Sequence, residues 1–370
     1  MYAVTHWNDA DRAEKCGRLR AYLDAHALEE IWLATDSNFG WLLGGDNLVD
    51  RALRQGVAAI RFDGESIEIV TNTIEADRIR EEEIGEGIRI VAHEWFANDL
   101  SSVIESESQN AAAADIPVAG LAPVDSTDFR LPLTTYEIER FRALGQSVGE
   151  ALEACCRAIE PEDTELDVAA DVAKRLGTRG IDAPVRLVGG GQRSRTYRHF
   201  TPTMAQIGEY ATVAVSARQA GRWVSATRMV AFDPPAWLSE RHIAAAQVET
   251  SAIAATQAHM GSGSAGDVFT TIQEAYESVG HAGEWKYHHQ GGASGYRSRE
   301  WIATPNHPAT IEGPLVVAWN PTISGAKSED SVLVTDNEVE VVTQTGEWPQ
   351  ISVQSIGESV TLDRPTILEK

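Results

Sequence analysis

The side chains able to do chemistry crowd between residues 185 and 335. Tyr197-Arg-His-Phe-Thr-Pro carries His199, Tyr287-His-His-Gln-Gly-Gly carries His288 and His289, and Lys327-Ser-Glu-Asp carries Glu329. An imidazole titrates near ~6.5, so it can take and return a proton at neutral pH. Arg299 and Glu300 follow the second motif. A guanidinium offers no lone pair to a metal and stays charged, but it can grip a substrate carboxylate in a bidentate fork. A solvated ion pair accounts for Arg299 and Glu300 equally well. Ala211 to Val230 reads as two strands joined by a turn at Ala220-Gly221, with Ser216 and Ser225 on the strands. A serine nucleophile needs a base beside it, and none is adjacent to either in sequence. Gly189-Gly190-Gly191 could cradle a phosphate, but no Gly-Lys-Ser/Thr follows, so a tight turn is expected.

Taken in order, these segments resemble the pita-bread metallopeptidase family of methionine aminopeptidase, aminopeptidase P, prolidase and creatinase. The hairpin is similar to the one that supplies two metal-bridging aspartates, and Ser216 and Ser225 stand at those positions. His199 matches the histidine of an H-x-x-P segment that contacts substrate and relays a proton. His289 matches the metal-binding histidine of a glycine-rich strand, and His288, one register away, should point to the opposite face. Arg299 replaces a second histidine, and Glu300 matches a downstream glutamate. Leu315-Val-Val-Ala-Trp-Asn-Pro places Asn320 where the family has a metal-binding glutamate. Glu329 matches the glutamate that bridges both metals.

Carried over position by position, the ligand set becomes Ser216, Ser225, His289, Asn320 and Glu329. Two divalent cations need anionic oxygens or imidazoles to replace their hydration, and only one carboxylate is left. The resemblance therefore implies a hydrolase that uses neither metal nor other cofactor and cleaves an amide or amidine C–N bond. Creatinase, which keeps the fold and works without metal, is the precedent. His199 would be general acid/base, with His289 and Glu329 orienting substrate or water. Arg299, Glu300, Asn320, Ser216 and Ser225 would contact a small-molecule or short-peptide substrate. A non-catalytic binding protein on the same scaffold is the second reading. A metal-dependent Xaa-Pro aminopeptidase or dipeptidase is the third, against which the lost aspartates speak.

The elements that must position these residues follow from patterning. Asp11 to Ala27 has helical periodicity, Ile31-Trp-Leu-Ala is a buried strand, and Asp36 to Gly45 is a turn with a helical stub. Two strands flank Asp63-Gly64, and a charged helix covers Glu75 to Glu83. Ser106 to Ala114 reads as a surface loop or frayed helix. Leu131-Pro-Leu-Thr-Thr links the domains. Thr134 with Glu137 caps a helix reaching to Ile159, and Thr164 with Asp167 opens another that ends at Gly177. The expected class is α/β (α+β) in two domains. Residues 1–130 form a mixed-sheet domain like the N-terminal domain of creatinase and aminopeptidase P. Residues 131–350 form a pita-bread domain, a curved antiparallel sheet backed by two helix pairs, and 351–370 a C-terminal tail.

Composition sets the outer limits. The 370 residues are 43% hydrophobic, enough for large cores. No apolar run approaches the ~18 residues of a membrane span, and Met1 to Trp7 lacks a signal-peptide pattern. Net charge is -24, and only five of the 31 basic residues are lysine. Such a surface repels nucleic acid and fits a halophilic cytoplasm, where salt screens the self-repulsion. Cys16, Cys155 and Cys156 show no zinc spacing and read as idle reduced thiols. A homodimer is implied by the resemblance.

Overall fold

A buried strand, β1 (Glu30–Thr35), organises the first half of the chain in the computed structural model, which describes residues 8–109, 111–357 and 359–370. Met1 to Trp7, read above as carrying no leader, lies outside the described residues. Helix α1 (Asp9–His26) starts where the Asn8 side chain accepts the amides of Ala10 and Asp11, and ends at Ala27 with φ 53°. This is a side-chain cap at one end and a left-handed stop at the other. β1 runs into α2 (Asp36–Leu43), capped by the Thr35 hydroxyl and closed by Gly44 at φ 77°. The hairpin β2 (Gln55–Phe62) and β3 (Ile67–Asn72) turns on Asp63, whose carboxylate accepts the amides of Glu65 and Ser66. The charged stretch is helical over Ala76–Arg78 and finishes as one π-turn, Ile79–Glu83. β4 (Arg89–His93), α3 (Leu100–Glu107), β5 (Ala112–Ala114) and β6 (Ala122–Pro123) complete a mixed six-stranded sheet in the order β4-β3-β2-β1-β5-β6.

One expectation fails here. Ala112–Ala114 is not a loop or frayed helix but a buried strand parallel to β1. Its alanines fit because Ala114 packs in a cluster with Trp32, Val70, Val103 and Ile104, whose bulk fills the space that small side chains leave.

The chain divides into two compact units, one of residues up to Tyr136 with Ala220–Arg222, the other of Glu137–Gln219 and Trp223–Lys370. In the second, α4 (Thr135–Ala158) precedes α5 (Glu165–Gly177), which begins with the expected reciprocal Thr164–Asp167 capping box. β7 (Asp182–Gly190), α6 (Gly191–Thr196) and the hairpin β8 (Tyr210–Gln219) and β9 (Arg222–Ala231) follow. Ala220 and Gly221 have φ 46° and 78°, the two positive values that a tight two-residue hairpin turn demands. The second helix pair is α7 (Trp237–Ala258) and α8 (Ala265–Ser278). An antiparallel sheet then forms from β10 (Gly291–Ser294), β11 (Leu315–Trp319), β12 (Asp330–Val334) and β13 (Val339–Val341). The last residues make the hairpin β14 (Gln350–Gln354) and β15 (Thr361–Pro365), and β16 (Leu368–Glu369) pairs parallel with β9. The three cysteines are buried and free. No helix among the described residues is long and apolar enough to cross a membrane.

Candidate functional site

The two serines of the hairpin meet. Ser225 Oγ donates to Ser216 Oγ at 3.0 Å, and the Ser225 backbone is held on both sides by Ser331, through its amide at 2.8 Å and its carbonyl at 3.0 Å. Arg299 reaches the same place. Its Nη1 donates to Ser225 Oγ at 3.2 Å and to the Ser298 carbonyl at 2.6 Å, and its Nη2 to Glu329 Oε1 at 3.1 Å. The other oxygen of Glu329 takes the Thr227 hydroxyl at 2.8 Å and Lys327 Nζ at 3.1 Å. Both cations and the carboxylate are buried. Burial alone would raise the Glu329 carboxyl, but Lys327 and Arg299, with hydrogen bonds from Lys327 and Thr227, outweigh it and hold the group below the usual range. One carboxylate thus answers two cations, and positive charge is left over.

The histidines form a second cluster. His288 Nε2 and His199 Nε2 are in hydrogen-bond contact at 3.0 Å. The His288 and His289 rings stack with centroids 4.5 Å apart, and the His199 ring lies 5.9 Å from that of His289. Burial, then Lys327, hold His199 below its ordinary value, with Glu329 opposing. Burial of the His289 ring, then Arg299 and Lys327, push it down to about 4, although the residue as a whole is exposed. His288 is driven further in the same direction by burial, Lys327 and the neighbouring imidazoles. All three rings are therefore neutral at pH 7.

His288 corrects the expectation that it would face away. A strand through both histidines would turn them to opposite faces, but strand pairing begins only at Gly291, and a 3-10 turn, Glu284–Tyr287, runs up to them. Outside the pleat, consecutive side chains are free to stack on one side. Gln290 fixes the segment by donating to the His288 carbonyl at 2.6 Å while accepting from Tyr276 at 2.9 Å.

Two expected contacts take other partners. Glu300 turns to the backbone, where its Oε1 accepts the Tyr296 amide at 2.8 Å. The solvated Arg299–Glu300 pair is not formed, because Glu300 is buried and the Arg299 guanidinium, its side chain 9% exposed, pairs with Glu329. Asn320 is buried, its amide donates to the Gln290 carbonyl at 3.0 Å, and its side-chain oxygen has no hydrogen-bond partner among the described residues. Sequence reasoning also passed over Thr227 and Lys327. The signal for Lys327 was present, since it is one of only five lysines and stands two residues before Glu329.

A buried charge network sets these residues in register. Arg364 of β15 pairs with Glu249 of α7 and, at 2.9 Å, with Asp330 of β12. Arg228 of β9 pairs with Asp330 at 2.9 Å and with Glu153 of α4 at 3.2 Å. Glu249 also receives the Asp330 amide at 3.0 Å and the Ser328 hydroxyl. The backbone on both sides of Glu329 is thereby clamped, and its carbonyl accepts the Thr227 amide at 2.9 Å.

Comparisons with known proteins agree with this architecture. The family model described as metallopeptidase family M24 matches residues 139–336. Among solved structures, the prolidase from Pyrococcus horikoshii OT3 is similar with a TM-score of 0.73 and 16% identity, over 90% of this chain and 98% of that one. The dipeptidase PepE from Mycobacterium ulcerans is similar with a TM-score of 0.73 and 16% identity, over 99% and 100%. The X-Pro aminopeptidase from Thermotoga maritima MSB8 gives 0.72 and 13%, over 96% and 99%. No curated protein matches the sequence.

Proposed function

The chain belongs to metallopeptidase family M24, and on that premise we propose that it is a hydrolase of amide or amidine C–N bonds that works without a two-metal centre. The substrate in this reading is a small molecule or short peptide, and the protein acts as a cytoplasmic homodimer. The single observation that carries the proposal is the state of Glu329. It is the one carboxylate at the five ligand positions, and its oxygens are taken by Arg299, Lys327 and Thr227. Ser216 and Ser225 bond to one another and Asn320 presents a neutral carboxamide. This donor set does not fit a pair of divalent cations, which require anionic oxygen.

The residues present suit another division of labour. His199, neutral at pH 7 and exposed, takes a proton from water as it attacks the carbon and returns it to the departing nitrogen. His288 meets it Nε2 to Nε2 at 3.0 Å and so orients the imidazole. Glu329 and His289 orient water and substrate. The positive charge left by Arg299 and Lys327 beyond that of Glu329 favours the negative oxygen that develops in the transition state.

The test is a screen of amide, amidine and dipeptide substrates with chelator-dialysed protein. Turnover should survive dialysis, and His199→Ala should lower it ~10²–10⁴-fold with the melting temperature within a few degrees. Turnover that appears only on adding a divalent metal would overturn the reading. A second reading, a non-catalytic binding protein, draws on the same internal satisfaction of Ser216, Ser225, Arg299 and Glu329. A ligand that binds but is never turned over would select it.

A further inference from the structure

Among the described residues, His199, His288 and His289 form a group placed to hold one metal ion, with one nitrogen from each lying within 4.8 Å of the others. We propose that these three imidazoles form an inhibitory site for a single borderline-soft transition dication such as Zn²⁺, separate from the five positions at which the family's metals would sit, save for His289. Two nitrogens bound to a tetrahedral zinc at ~2.0–2.1 Å stand ~3.4 Å apart, close to the 3.0 Å that separates the Nε2 atoms of His199 and His288. The third nitrogen lies within 4.8 Å of the other two, and rotation of the His289 side chain brings it to the same centre. The backbone of the segment is held, since Gln290 pins the His288 carbonyl, and the His288 and His289 rings tilt out of their 23° stacking for their lone pairs to converge.

The chemistry of the donors selects the ion. Three neutral imidazoles with no carboxylate suit zinc or copper and give little to magnesium or calcium, which take oxygen ligands. Lys327 and Arg299 stand near and oppose any cation, but each is bonded to Glu329, which offsets one of their two charges. Coordination at His199 Nε2 replaces its contact with His288 and draws electron density out of the ring, so a bound ion silences His199 as the acid–base group. This last step rests on the proposed role of His199. The binding site itself does not.

The experiment uses the full chain stripped by chelator, with folding checked by circular dichroism. Calorimetric titration with Zn²⁺ should saturate at one ion per chain, and Co²⁺ should give the visible absorption of a tetrahedral nitrogen site. His288→Ala and His289→Ala should each weaken binding at least ~10-fold, equivalent to about 1.4 kcal/mol, while Ser216→Ala retains it. His289 is exposed, so His289→Ala serves if His288→Ala does not fold. No saturable binding, binding that survives both histidine variants, or binding lost in Ser216→Ala would each overturn the site. One equivalent of Zn²⁺ should also suppress turnover, reversibly by chelator. Zinc that binds at the histidines yet leaves turnover unchanged would support the site and overturn His199 as the acid–base group.

Discussion

A single glutamate gathers the charged groups of the site. Glu329 is held below its usual pKa in a buried place because Lys327 and Arg299 pair with it, and both of its oxygens accept hydrogen bonds from within the protein. The motif order made Glu329, His199 and Arg299 legible from sequence. Their partners were not, because Thr227 comes from a distant strand and His288 depends on where strand pairing starts, which propensity alone does not fix. His242 shows the same long-range logic away from the site. Buried on α7, it donates from Nε2 to the Pro365 carbonyl at 2.9 Å, while Nδ1 has no partner among the described residues. Burial holds its pKa below the ordinary value. The unfolded chain then takes up a proton first as pH falls, so this contribution is complete above ~6.5 and is lost progressively below it, ~1.4 kcal/mol for each tenfold difference in proton affinity between the folded and unfolded chains. The melting temperature should fall between pH 7 and 5, and His242→Gln should flatten that slope. A slope unchanged in the variant would remove His242 from the account.

At the scale of elements, the hairpin carrying Ser216 and Ser225 was readable because Ala220-Gly221 stands between two apolar runs, and α5 because Thr164 and Asp167 form its cap. β5 was hidden by its alanines, which carry no strand signal of their own. Residues 351–370 read as a tail because β14 and β15 lack a continuous apolar pattern. What anchors them is a charge, Arg364, buried against Glu249 and Asp330. A buried ion pair adds little over an apolar replacement, but removing one partner strands the other's charge. Arg364→Ala should therefore cost ~3–5 kcal/mol, since it leaves two carboxylates, one on α7 and one on β12, without their shared cation. Denaturant titration reads this directly. A loss below ~1 kcal/mol would mean that water or Arg228 compensates, and that the network does not hold the Glu329 backbone in place.

The whole molecule carries 55 acidic against 31 basic residues, a net charge of -24. Two effects of salt compete on such a surface. Salt weakens the many short arginine–carboxylate pairs, such as Arg12–Asp9 and Arg80–Asp77, but exposed pairs contribute only ~0–1 kcal/mol each. Salt also screens repulsion among the unpaired carboxylates, which at ~0.01 M acts across a Debye length of ~30 Å and at ~1 M across only ~3 Å. The imbalance between acidic and basic residues makes the second effect the larger. The melting temperature should therefore climb as potassium chloride rises from dilute buffer into the molar range, by about 1–2 °C for each kcal/mol relieved. Salt also strengthens apolar burial in any protein, so the decisive comparison is internal. Glu81 and Glu82 are exposed beside Glu83, and reversing both to lysine removes four negative charges' worth of imbalance without touching a core. The double variant should be more stable than the natural chain in dilute buffer and should gain less from salt. If the two proteins respond to salt in parallel, general salting-out explains the rise and the acidic surface does not.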